Sequence, residues 1–109
     1  MKPFYSREGD TLKVYLKDAD NFAERLDDVV TVYLSESTNE IVGCKIKGVS
    51  HLCRQLGDFG VELTDGHITI GMLFIVSWAR ASAGVRDRFE QLAERFKSTP
   101  LDIDQLLSC

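Results

Sequence analysis

Apolar and polar residues alternate through much of the first half of the chain. In TLKVYLK, Leu12, Val14 and Leu16 fall on one side and Lys13, Tyr15 and Lys17 on the other, which is the period of a half-buried strand. DDVVTVYL repeats the pattern with Val30, Val32 and Leu34 on one face and Thr31 and Tyr33 on the other. The polar SESTNE then predicts a turn at Thr38 to Glu40, and IVGCKIK resumes as a strand with Val42, Cys44 and Ile46 aligned. Three strands joined in succession predict an antiparallel β-meander.

After Gly48 the period changes. Val49, Leu52, Cys53 and Leu56 stand at helical spacing, with Ser50 placed as the N-cap and Gly57 placed to end the helix. Asp65-Gly66, between alternating apolar residues, signals an extra hairpin. The run from Ile68 to Ala79 fits a buried strand over 68–76 or a helix. Gly71, Met72, Ala79 and Ala81 favour a helix over about Thr69 to Ser82. A last helix shows a stripe of Val85, Phe89, Leu92, Ala93 and Phe96, with Arg86, Arg88, Glu90, Glu94 and Arg95 towards solvent. Pro100 is placed to stop it, and LDIDQLLSC reads as a short amphipathic tail. The expected fold is α+β: a meander of about three strands followed by two to three helices. It forms a single domain over 1–109, with strands mainly over 1–48 and helices over 49–109.

Charge narrows the partners. Thirteen basic against 17 acidic residues give a formal net charge of −4, which argues against nucleic acid as the main partner and fits a basic protein partner. No apolar run approaches the roughly 20 residues of a membrane span. MKPFYSREGD lacks the apolar core of a secretory leader, and the cysteine count of three is odd. These features predict a cytoplasmic protein with reduced thiols.

Candidate chemistry is sparse. Cys44, His51 and Cys53 fall close together, but on a helix His51 and Cys53 point apart, Cys44 shares the inward side of its strand, and no second ligand pair follows. Asp18 and Asp20 open like a calcium loop, yet Phe22, Ala23 and Val29 stand where an oxygen ligand, a glycine and a glutamate are required. The acidic segment DADNFAERLDD therefore reads as a solvated connection. Ser50 lacks the second glycine of a nucleophile elbow, GDFG lacks the lysine of a phosphate loop, and His67 stands alone. No catalytic residue, cofactor site or metal site is expected.

Between Ile70 and Ala81 the one charged residue is Arg80, so the helix is apolar nearly all round. A face of Ile70, Leu73, Phe74, Ser77 and Trp78 is the expected interface of a homodimer. Tyr15, Tyr33 and Trp78 are the candidates for rimming a small-molecule pocket.

YSREGDTLKVYL and VVTVYLSESTNEIVGCKIKG resemble a small bacterial family catalogued only as a domain of unknown function, with the pattern Y-D-x-x-x-D-x-L-Y-I-x-L, V-x-V-D-L and I-V-G-I-x-I. The matching positions are Tyr5, Asp10, Leu12, Val14, Leu16, Val30, Val32, Leu34, Ile41, Val42, Gly43 and Ile46. The departures are Ser6 for aspartate, Lys13 for an aromatic residue and Tyr33 for aspartate. The resemblance implies a β-meander followed by a helix and, from toxin-like neighbours of some members, an antitoxin-like accessory role. In size and acidity the chain is also similar to integron gene-cassette proteins. The expected function is that of a non-enzymatic, homo-oligomeric protein-binding module, with a small-molecule binder or enzyme as the alternative.

Overall fold

The structure, a computed structural model, describes residues 3–58, 60 and 68–101. The chain divides into two compact units, Met1–Val49 and Ser50–Cys109, close to where the hydrophobic period changes.

The first unit is a five-stranded antiparallel sheet of β1 (Phe4–Ser6), β2 (Thr11–Tyr15), β3 (Asn21–Arg25), β4 (Val30–Ser35) and β5 (Ile41–Lys47). The three strands expected from alternation are β2, β4 and β5. Their arrangement differs from the expected meander, because the spatial order is β1-β2-β5-β4-β3 and β5 lies between β2 and β4. Strands β3, β4 and β5 follow one another as hairpins, and β2 returns beside β5 in a Greek-key arrangement. The two additional strands are both at edges. β1 has three residues, too few to show a period. β3 lies inside the acidic segment expected to be a plain connection, and all five of its residues are at least partly exposed. An edge strand supported on one side needs little apolar alternation, so neither had a pattern to detect.

Of the inward positions read from the sequence, Leu12, Val14, Val30, Val32, Leu34, Val42, Cys44 and Ile46 are each no more than 3% exposed, while Leu16, just past the end of β2, is half-buried. Turn chemistry fixes the hairpins. Asn39 takes a positive φ of 61° within the expected Thr38–Glu40 turn, where the Asn39 N–H donates to the Ser35 carbonyl. Asp27 Oδ1 accepts from the N–H groups of Val29 and Val30 at 2.7 Å and closes the β3–β4 turn. Tyr5 donates its hydroxyl to Asp10 Oδ1 at 2.6 Å across the β1–β2 hairpin, which gives those two residues of the family-like pattern a structural role. The link from β2 to β3, Leu16 to Asp20, must cross about three strand spacings, roughly 14 Å. Five residues reach about 17 Å when extended, enough to make the crossing, and the link bends at Leu16 and Lys17 as it leaves β2.

The second unit contains α1 (Val49–Asp58), α2 (Ile70–Arg80) and α3 (Ala83–Arg95). Helix α1 starts at Val49, so Ser50 is not its N-cap but an 8% exposed residue of the first turn. Its end also lies beyond Gly57. Gly60 takes φ +86° and its N–H donates to the Gly57 carbonyl, a conformation that favours glycine. Helix α2 settles residues 70–76 as helical. Its first free N–H groups, on Ile70 and Gly71, donate to the Thr99 and Phe96 carbonyls just beyond α3. Two sets of groups that helix ends leave unpaired thus satisfy each other. Phe74 and Phe96 meet with ring centroids 6.0 Å apart, and Phe89 and Leu92 of the expected α3 stripe are fully buried. Helix α3 ends at Arg95, and Pro100 instead bridges to Thr69. The expected Asp65-Gly66 hairpin, His67 and the 102–109 tail lie outside the described residues.

Candidate functional site

Strand order turns the polar face of the sheet into one surface. Residues directly opposite each other in antiparallel strands share a face. One row runs Phe4, Lys13, Lys45, Thr31, Arg25, one residue from each strand in spatial order. The next row runs Tyr15, Gly43, Tyr33, Ala23, and Lys47 stands opposite Thr11 in the row on the other side. These positions carry four cationic side chains and no carboxylate, in a chain that is acidic overall. The acidic residues Asp18, Asp20, Asp27, Asp28, Glu36 and Glu40 lie on the connections between strands.

The two tyrosines meet over Gly43. Their ring centroids are 5.2 Å apart with the planes inclined at 24°, and the Lys13 ammonium lies 5.5 Å from one centroid and 5.4 Å from the other. A Cβ at position 43 would fall 2.7 Å from Tyr15 Cδ1, so the missing side chain is what seats the ring. Burial raises the Tyr33 hydroxyl above its ordinary value of 10.0, with Lys13 pulling the other way, and the phenol is neutral at physiological pH.

Lys13 and Lys45 are direct cross-strand partners of like charge, an arrangement that weakens a sheet by a few tenths of a kcal/mol to about 1 kcal/mol. Lys13 is compensated by the two rings beneath it. Among the described residues neither Lys45 nor Lys47 has an ion-pair partner. Arg25 is engaged at the edge by Asp28 Oδ1 at 3.2 Å and the Asp27 carbonyl. Beside the aromatic pair, the β2–β3 link borders an open hollow of about 400 Å³ lined by Tyr15, Lys17, Asp18, Ala19 and Asn21. Lys17 there is paired with Glu40 at 3.2 Å.

The expected pocket residues are therefore partly united. Tyr15 and Tyr33 form one aromatic cluster. Trp78 belongs to the second unit, where its indole N–H donates to Glu90 at 3.0 Å and the Arg86 guanidinium lies 5.0 Å over its ring. The expected dimer face is altered as well. Ile70, Leu73 and Phe74 are fully buried within the single chain and Ser77 is 8% exposed, so they offer no surface to a second copy. The exposed large apolar residues of α2 are Ile75 and Trp78. The lysine row was missed from the sequence because Lys13 and Lys45 lie more than thirty residues apart; only a correct strand order brings them together.

Cys44 and Cys53 are free and fully buried, while His51 is exposed against Gln55. Among the described residues no group of three His, Cys, Asp or Glu side chains is placed to hold a metal ion. No described helix is long and apolar enough to cross a membrane. Burial pushes the Cys44 thiol far up and raises Cys53 as well, opposed there by Arg54. Unfolded, both thiols ionise near their ordinary value of 9.0, whereas the folded chain keeps their protons. Stability is then intact below pH 9 and falls as pH rises beyond it, by up to about 1.4 kcal/mol per pH unit for Cys44. Denaturant midpoints between pH 7 and 10 should show this decline, and Cys44→Val should flatten it; a level profile in the parent chain would contradict the assignment.

The fold and its exposed face thus define an α+β protein with a cationic, aromatic sheet surface. Compared with protein-family models, with curated proteins and with solved structures, the chain matches none.

Proposed function

We propose that the protein is a non-enzymatic binding module whose working surface is the lysine–tyrosine face of the sheet, and that this face takes an anionic partner. The carrying observation is the Lys13–Lys45 pair: like charges directly opposite in adjacent strands, with no carboxylate among the strand positions of that face. A sheet selected for stability alone favours an opposite charge or a threonine there. Tyr33, whose hydroxyl burial raises, and the buried Cys44 and Cys53 thiols offer no activated nucleophile or base, which favours binding over catalysis. The basic protein partner suggested by the total charge gives way to an anionic one at this face, because the strand positions of the face carry no carboxylate. An accessory role, as the resemblance implies, is compatible with such a module. A second copy docked through Ile70, Leu73, Phe74 and Ser77 is not carried forward, since the chain itself covers them.

The test separates stability from binding. Lys45→Thr should raise stability by about 0.2–1 kcal/mol in denaturant unfolding, since it relieves the like-charge pair. It should at the same time weaken binding to polyphosphate, measured by calorimetry at low salt. If Lys45→Thr left polyphosphate binding unchanged, or if the parent chain bound none, the anionic-partner reading would fail.

A further inference from the structure

The face carries more than charge. Phe4 is the most exposed large apolar residue among those described, at 69%, and its register opposite Lys13 puts it at the end of the lysine row. The half-buried Tyr15 and Tyr33 occupy the neighbouring row. Aromatic rings therefore lie at the end of the cationic row and alongside it. The row from Lys13 to Arg25 covers three strand spacings, roughly 14 Å.

We propose that the anionic partner is a single-stranded nucleic acid, its phosphates on Lys13, Lys45 and Lys47 and its bases against Phe4 and, as Lys13 turns from the rings to a phosphate, against the Tyr15–Tyr33 pair. This rests on the anionic-partner reading above and specifies its occupant. An acidic peptide would satisfy the lysines but leave the exposed ring of Phe4 without a role. It would also find few free main-chain groups on a sheet face, because those groups are paired along the ladders. A duplex hides its base faces and is read by elements that enter a groove, for which this face offers only side chains. A single strand presents phosphate and stacking surface together, which is the combination displayed here. The net charge of −4 removes long-range attraction, so binding depends on contact and is strongest at low salt.

Fluorescence anisotropy with a labelled single-stranded oligonucleotide of about ten nucleotides tests the proposal. Polyphosphate and poly-glutamate serve as competitors. The oligonucleotide should bind more tightly than polyphosphate of equal charge. Engagement of three lysines gives log K against log salt a slope of about −2. Phe4→Ala and Tyr33→Leu should each weaken binding about five-fold or more, while Tyr33→Phe, which keeps the ring, should bind like the parent. Phe4→Ala alters an exposed side chain, so it reports on binding even if Tyr33→Leu fails to fold by circular dichroism. Equal binding of oligonucleotide and polyphosphate, with no effect of Phe4→Ala, would overturn this proposal and leave the anionic-partner reading standing. Preference for poly-glutamate would overturn it in favour of an acidic protein partner. Failure of all three probes to bind would overturn both readings.

Discussion

Gly71→Ala is expected to destabilise the protein by about 2–3 kcal/mol, although alanine is the better helix former. Helix propensity alone would reward the substitution by up to about 1 kcal/mol. Packing decides otherwise. A Cβ at position 71 would lie 2.5 Å from the Ala93 carbonyl oxygen and 2.9 Å from the Lys97 N and Cα. These are backbone atoms, which cannot swing aside as a flexible side chain could. Relief requires α2 and the end of α3 to separate, at an overpacking cost of typically 1–3 kcal/mol. Separation also stretches the bonds from Ile70 N–H to Thr99 and from Gly71 N–H to Phe96, at 2.8 and 3.0 Å, each worth about 1 kcal/mol. Gly84→Ala is the control. Position 84 is exposed in α3 with no atom near the added Cβ, so propensity alone acts there and a small gain is expected. Urea unfolding of both variants checks the pair of signs; a stabilised Gly71→Ala would show that the two helices do not approach as described.

Gly43→Ala is expected to cost about 2 kcal/mol and to dismantle the aromatic pair. The new methyl would lie 2.7 Å from both the Val14 carbonyl oxygen and Tyr15 Cδ1. The carbonyl is fixed within the β2–β5 pairing, so the ring is the part that can yield. Tyr15 then lifts off Tyr33, and Lys13 loses its place over both rings. Two independent measurements check this: a drop in the unfolding midpoint, and loss of the mutual ring-current shifts of Tyr15 and Tyr33 in NMR spectra. A folded Gly43→Ala protein with unchanged tyrosine shifts would remove glycine 43 as the seat of the cluster.

Both predictions depend on close approaches that no local pattern announces. Gly71 reads in the sequence only as a poor strand residue, and Gly43 only as one letter of a family-like I-V-G run. The burial of Cys44 and Cys53 was legible, because each shares its side with apolar neighbours at the period of its element. The α2 and α3 helices were legible for the same reason, to within a few residues at their ends. Of the expected face of Ile70, Leu73, Phe74, Ser77 and Trp78, all but Trp78 are buried in the single chain, which the sequence did not show because an all-round apolar helix does not state what covers it. Strand β3 was overlooked because Asn21, Phe22, Ala23, Glu24 and Arg25 form an edge, which satisfies its hydrogen bonds through β4 without needing an apolar face.

By itself, the sequence determined which side of β2, β4, β5, α1 and α3 is buried. Period two separates Leu12 and Val14 from Lys13 and Tyr15 wherever the strand is placed, since alternation is a property of the single chain. Only the tertiary structure decided which strands are neighbours. A meander would put β2 beside the next strand in the chain; the observed order instead sets β2 against β5 and β5 against β4. That choice places Lys45 opposite Lys13 and lets Tyr15 and Tyr33 meet across Gly43. Pairing depends on contacts between distant segments, which periodicity does not encode, and so an acidic chain came to present a basic, aromatic face.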